Sequence, residues 1–218
     1  MKAFASWSGG KDCALATYRA ISRGYEIAYL LNFTVEDGQR SRSHGIKSGV
    51  LHMQAQAMGI SLMQIPTSWE NYEENFKKAL TELKNKGIED GIFGDMDLEE
   101  HREWIERVCG QAGVRSHLPL WQTAPEQLLD EFWKSGFRSI VIASKLDKSL
   151  LGKNMDRAFV DSIVKEYNSH PCGESGEYHT FVTDGPIFQR PVKITQGNTV
   201  NRNGVWALDF DAELSSRD

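Results

Sequence analysis

The first thirteen residues constrain this chain more than any other stretch. Ala3, Phe4, Ala5, Ser6 and Trp7 form an apolar run that leads straight into Ser8, Gly9, Gly10, Lys11, Asp12 and Cys13. The pattern predicts a strand, a sharp turn at the glycine pair, and a helix from there on. Adjacent glycines let the backbone approach an anion with no Cβ in the way. The first amides of the helix and its positive dipole end then face that anion. Lys11 adds a mobile point charge, and Asp12 is a natural ligand for the magnesium that accompanies nucleotide phosphates. The spacing is not that of a Walker A loop, which needs Gly, four residues, then Gly-Lys-Ser/Thr. Ala5 stands where the first Gly belongs and Asp12 where the hydroxyl belongs. No G-x-G-x-x-G occurs at this junction either, which removes a dinucleotide fingerprint.

What the six residues do resemble is the SGGxDS loop of the N-type ATP pyrophosphatases, with Cys13 in place of the final Ser. Those proteins cleave ATP between its α and β phosphates to give an adenylated substrate and pyrophosphate.

Composition sets the outer bounds. The chain has 218 residues, 40% hydrophobic and 25% charged, which is ordinary for a globular protein with one large core or two small ones. A net charge of -5 argues against an extended nucleic-acid surface, since such binding draws on basic groups. No run approaches a membrane span, a strand is expected within three residues of Met1, and three Cys at 13, 109 and 172 cannot make a disulfide framework. A cytoplasmic location is the expectation. His170, Cys172 and His179 lie close together but lack the paired ligands of a zinc site.

Along the chain, strands are expected at 25–33, 61–65 and 88–93, and helices at 46–58, 69–86 and 98–112. The run at 25–33 is apolar almost throughout, as suits a strand buried on both faces of a parallel sheet. Strand followed by helix, repeated four or five times, is the signature of a doubly wound parallel sheet. Ligands in such sheets bind at the carboxyl ends of the strands. Asn32 and Phe33 are therefore candidates for holding adenine, and Gly94 and Asp95 fall on the same edge, where Asp95 either touches the nucleotide or its metal or simply caps the helix that follows. The segment 38–47, with three basic residues, His44 and Gly45, is either a solvated loop or one that folds over ATP or an anionic substrate. In the helix at 69–86, Glu73 and Lys77, and Glu74 and Lys78, are spaced to pair along the surface.

Beyond Trp121 the pattern changes. Helices are expected at 125–135 and 156–167, a strand at 139–143, and only short strands from Gly176 on. Asn203-Gly204 between apolar runs is a strong two-residue hairpin signal. An ATP-binding domain at 1–122 and a smaller α+β domain at 123–218, packed closely with a cleft between, are expected.

The stretch 170–186 contains Glu174 and Glu177, each preceded by Gly, in a loop of the kind that exists to hold something. Taken together, SGGKDC at 8–13, SHGI at 43–46, GVRSHLPLW at 113–121 and GESGEYHTFVTDGP at 173–186 resemble the diphthine–ammonia ligase family. The resemblance covers nearly the whole chain. It implies an adenine-nucleotide α-hydrolase-like domain whose cleft is faced by the GE-x-GE loop of the C-terminal domain. In diphthine-type members the carboxylate of a modified histidine on a translation elongation factor is activated as an acyl-adenylate, and ammonia then displaces AMP; the expected acceptor here is that residue or, failing it, a small-molecule carboxylate. By that resemblance Ser8, Gly9, Gly10, Lys11, Asp12 and Cys13 hold the phosphates of ATP, with Mg2+ on Asp12. By their place on the ligand edge of the sheet, and not by the resemblance, His44, Gly45, Gly94 and Asp95 are candidates to complete the nucleotide site. Trp121, Glu174, Glu177, Tyr178, His179 and Thr180 line the acceptor side.

Lys11, Glu174 and Glu177 are the candidate catalytic groups. Ammonia is mostly ammonium at neutral pH, so the site must bind a cation and deprotonate it beside the activated carbonyl. A carboxylate in a partly dry cleft does both; Glu177 is the first choice and Glu174 the alternative. A second copy of the chain is a further candidate partner. One rival reading is a tRNA-modifying relative, since thiouridine synthases share the phosphate loop. Another is a nucleotide sensor without catalysis, in which ATP holds the two domains together.

Overall fold

The computed structural model describes residues 1–216. The N-terminal half alternates strand and helix: β1 (Lys2–Ser6), α1 (Lys11–Ser22), β2 (Glu26–Thr34), α2 (Ser48–Met58), β3 (Ser61–Pro66), α3 (Tyr72–Asn85), β4 (Asp90–Ile92), α4 (Glu99–Ala112) and β5 (Arg115–His117). The strands form one parallel sheet in the order β3-β2-β1-β4-β5. This is the expected doubly wound arrangement, and β1 shows why both faces are covered. Side chains alternate across a strand, so Ala3, Ala5 and Trp7 pack with α1 and α2, while Phe4 packs on the other face with Phe76 and Leu80 of α3 and Val108 of α4. Glu73 and Lys77 pair at 2.6 Å, as do Glu74 and Lys78. Glu73 also accepts both Arg107 nitrogens and the Trp104 indole, which ties α3 to α4.

The C-terminal half comprises α5 (Pro125–Lys134), β6 (Arg138–Ser144), α6 (Arg157–Tyr167), β7 (Tyr178–Asp184), β8 (Val192–Arg202) and β9 (Val205–Leu214). Its strands form an antiparallel sheet in the order β7-β6-β9-β8. Asn203 and Gly204 both have positive φ, 52° and 86°, the geometry of a two-residue hairpin turn between β8 and β9. These two strands are not short: they run 11 and 10 residues. Most of β8 is exposed, so it carries no apolar run from which its length could be read.

One apolar cluster joins the two halves. Trp7, Leu15, Leu51 and Met58 belong to the same buried group as Phe132, Val141, Phe181 and Phe210. The segment 38–47 is not a solvated loop. Ser41 and Ile46 are buried, the Ser41 amide donating to the Ile46 carbonyl at 2.8 Å and the Ile46 amide to the Ser41 hydroxyl at 3.1 Å, while Arg40 reaches Asp209 at 2.8 Å and Lys47 reaches Asp211 at 2.8 Å. Two of its three basic residues thus strap the segment to β9.

Candidate active site

At the carboxyl end of β1 the chain turns at Gly9, whose φ of +86° is in the region that favours glycine, and α1 begins after Gly10, which has no side chain of its own to cap the helix. The amides of Asp12 and Cys13 donate to no acceptor among the described residues, and both residues line a cleft. The Cys13 thiol turns inward, donating to the Gly10 carbonyl at 3.1 Å and accepting from the Ser8 hydroxyl at 3.4 Å. Burial pushes its pKa up, so it stays a neutral thiol.

Lys11 behaves differently from the mobile charge expected of it. Its side chain is buried, and Nζ donates to both Asp12 carboxylate oxygens, at 2.9 and 2.8 Å, and to the carbonyl of Cys172 at 2.5 Å. Burial works against the charge, but Asp12, Tyr178 and Cys172 together outweigh that cost and raise the ammonium pKa. Lys11 therefore ties α1 to the 170–177 loop and does not line the cleft.

The second half of the molecule holds the turn from behind. Val182 N–H donates to the Gly9 carbonyl at 2.9 Å, and Thr180 Oγ1 accepts from the Lys11 amide at 3.1 Å. Gln54, fully buried on α2, donates to the carbonyls of Gly9 and Val182 at 3.1 and 2.7 Å and accepts from the Trp7 indole at 2.8 Å. The sequence reading missed Gln54. Its signal was a polar residue within the apolar stripe of Val50, Leu51 and Met58.

The cleft lies between the two halves, with a volume of about 320 Å³, within the size range of small-molecule sites. It brings together Ser8, Asp12, Cys13, Asn32, Phe33, His44, Gly94, Asp95, Glu174 and His179. Also on its wall are Arg42, Trp69, Tyr72 and His101, which the sequence reading did not single out. Gly9, Gly10, Gly45 and Thr180 support it without lining it. Gly94 serves packing: a Cβ there would sit 2.9 Å from the backbone of Asp12 and Cys13. The Asp95 carboxylate accepts from His101 Nδ1 at 3.1 Å and is not the cap of α4, which follows Leu98. The carboxylate raises the His101 pKa.

Three expected acceptor groups lie elsewhere. Tyr178 is buried, with its hydroxyl donating to the Pro171 carbonyl at 2.6 Å. Trp121 lines a separate depression beside Arg102, 5.2 Å from that guanidinium. Glu177 turns away from the cleft, one oxygen accepting from the His170 amide at 3.3 Å and the other buried without a partner.

The carboxylate that faces the cleft is Glu174. Burial, and then the nearby charge of Asp12, push its pKa up to about 7. Also lining the cleft are His44 and His179, stacked with ring centroids 4.3 Å apart. Burial pushes both imidazoles down, His179 to about 4, so both are neutral at neutral pH. The cleft thus offers free helix amides for an anion, a carboxyl that can exchange a proton near neutrality, and two uncharged imidazoles.

The model of the diphthamide synthase N-terminal domain matches residues 1–116, and that of the diphthamide synthase C-terminal domain matches residues 124–211. The chain is 28% identical to the diphthine–ammonia ligase of Schizosaccharomyces pombe over 93% of its own length and 38% of that protein's, so it spans well under half of that relative. It is also 28% identical to the human diphthine–ammonia ligase, over 92% of this chain and 85% of the human one. Among solved structures it is similar to a predicted subunit of tRNA methyltransferase from Methanocaldococcus jannaschii, with a TM-score of 0.48 and 18% identity over 85% of this chain and 98% of that one. That likeness is too weak to bear on function.

Proposed function

The chain belongs to the diphthamide synthase family, and from that premise we propose that it is an ATP-dependent ligase that converts a carboxylate to an amide with ammonia. In this reading the acceptor is diphthine, the substrate in the relatives' names, carried on a translation elongation factor as the family resemblance implies. The observation that carries the proposal is the pairing, across one cleft, of the free amides of Asp12 and Cys13 with the Glu174 carboxyl. Residues 1–122 form the ATP-binding domain and residues 123–218 the acceptor-binding domain.

The phosphates of ATP rest on the turn from Ser8 to Cys13. The acceptor carboxylate attacks the α-phosphorus, the α–β phosphoanhydride bond breaks, and pyrophosphate leaves, giving an acyl-adenylate. Ammonia then attacks the acyl carbon, and AMP leaves with the bonding pair. Among the described residues no group of three or more His, Cys, Asp or Glu is arranged to hold a metal ion. Asp12, whose carboxylate is bonded to Lys11 yet about one third open, would be the residue to hold magnesium, which would supply positive charge to offset that of the phosphates.

Glu174 takes the role first assigned to Glu177. A base is most effective when its pKa lies near the working pH, and about 7 meets that condition. His179, at about 4, is too weak a base to take a proton from ammonium at neutral pH. The test supplies ATP, 15N-ammonium and elongation factor bearing diphthine, and follows label into the factor by mass spectrometry. Label should enter with the wild-type protein and fall by roughly 10²–10⁴-fold with Glu174→Gln. No incorporation by the wild type would remove this acceptor, and full activity of Glu174→Gln would remove the base.

A further inference from the structure

Trp69 is 71% exposed, and of the large apolar side chains that are strongly exposed among the described residues, it is the one on the cleft wall. It is not left loose. The Arg42 guanidinium carbon lies 4.7 Å from the indole centroid, and Tyr72 leans against the ring at 5.7 Å. Arg42 is itself fixed, with Nε and Nη2 both donating to the carbonyl of Thr67, at 3.1 and 2.6 Å. A large aromatic surface is thus held rigid at the mouth of the cleft with much of it open to water.

The residues expected to hold the base are already occupied. Asn32 donates to the carbonyl of Trp7 at 2.8 Å and accepts from Gln64 at 3.1 Å, using both ends of its amide. Phe33 is stacked on Phe76 with centroids 5.3 Å apart and covered by Tyr72 at 4.9 Å. Phe33 is thus left without a free ring face, and the Asn32 amide, buried and held by its two bonds, gives a base nothing to stack on.

The cleft also has two chemical ends. Asp12, Asp95 and Glu174 gather at its β1 and β4 side, where like charge is part of what raises Glu174. Arg42 follows β2 and Trp69 follows β3, and the sheet order β3-β2-β1-β4 sets the phosphate turn between these ends. An uncharged aromatic ring attached to phosphates on that turn finds its complement toward β3. We infer that Trp69, held by Arg42 and Tyr72, is the platform on which the adenine ring stacks. This rests on the ATP reading and adds to it the residue that recognises the base.

Trp69 is exposed, so its replacement leaves the core intact. The affinities of wild type, Trp69→Ala and Trp69→Phe for ATP and for inorganic tripolyphosphate, measured by calorimetry, test the inference. Trp69→Ala should weaken ATP by roughly 5- to 100-fold, the span of single base–aromatic stacks. Tripolyphosphate, which has no base, should bind all three alike, and Trp69→Phe should recover most of the loss. ATP binding by Trp69→Ala within about twofold of wild type would overturn the inference while sparing the ATP reading. So would an equal loss of ATP and tripolyphosphate. A wild-type protein that binds no ATP would overturn both.

Discussion

Thr180 on β7 accepts a hydrogen bond from the backbone N–H of Lys11, 3.1 Å away and at the first turn of α1. A group of the antiparallel sheet thereby completes a helix terminus in the parallel one, and both partners are buried. Thr180→Val keeps the shape and removes the acceptor, leaving a buried N–H unpaired at a cost of about 1–3 kcal/mol. Thr180→Ser should be close to wild type. Urea unfolding of the three proteins checks this, and a Val variant as stable as wild type would contradict it.

Gly94 controls how closely the end of β4 approaches α1. A methyl group there would lie 2.9 Å from the backbone carbon of Asp12 and the amide nitrogen of Cys13, which cannot yield as a side chain could. Gly94→Ala should displace the first turn of α1 and lower both nucleotide affinity and Tm. Gly49→Ala is the control: it lies in α2 with open space around it and should be neutral or stabilising by roughly 0.5–1 kcal/mol. Equal affinities for the two variants would show that Gly94 does not shape the turn.

Two cleft residues should give stability opposite pH dependences. Glu174 titrates at about 7 in the fold against a reference of 4.5, so its contribution is present below about 4.5 and is lost as pH rises to about 7. His179 titrates at about 4 against 6.5, so its contribution is present above about 6.5 and is lost as pH falls to about 4. Denaturation midpoints between those limits should therefore drop less on alkalinisation in Glu174→Gln, and drop less on acidification in His179→Gln. Unchanged profiles in both variants would contradict the burial assigned to these groups.

The features legible in the sequence are those whose signal is local. The glycine pair sits beside its own helix start, the buried run of β2 is continuous, and Asn203-Gly204 needs only its neighbours to make a hairpin. What escaped notice depends on contacts far along the chain. Lys11 is drawn from the cleft by the carbonyl of Cys172, a partner 161 residues away. Glu174 and Glu177 share one loop and one residue type, and only packing decides that the first faces the cleft and the second the amide of His170. Trp69 read as part of an amphipathic helix, whereas α3 begins at Tyr72 and leaves the indole on the cleft wall.

An acyl-adenylate forms in this cleft only if ATP breaks between its α and β phosphates. Chromatographic product analysis, after incubating the protein with ATP, ammonium and the diphthine-bearing elongation factor, decides this. AMP and pyrophosphate should appear in amounts equal to the amide formed, with neither product in the absence of the acceptor. ADP and inorganic phosphate as the stoichiometric products would contradict that cleavage.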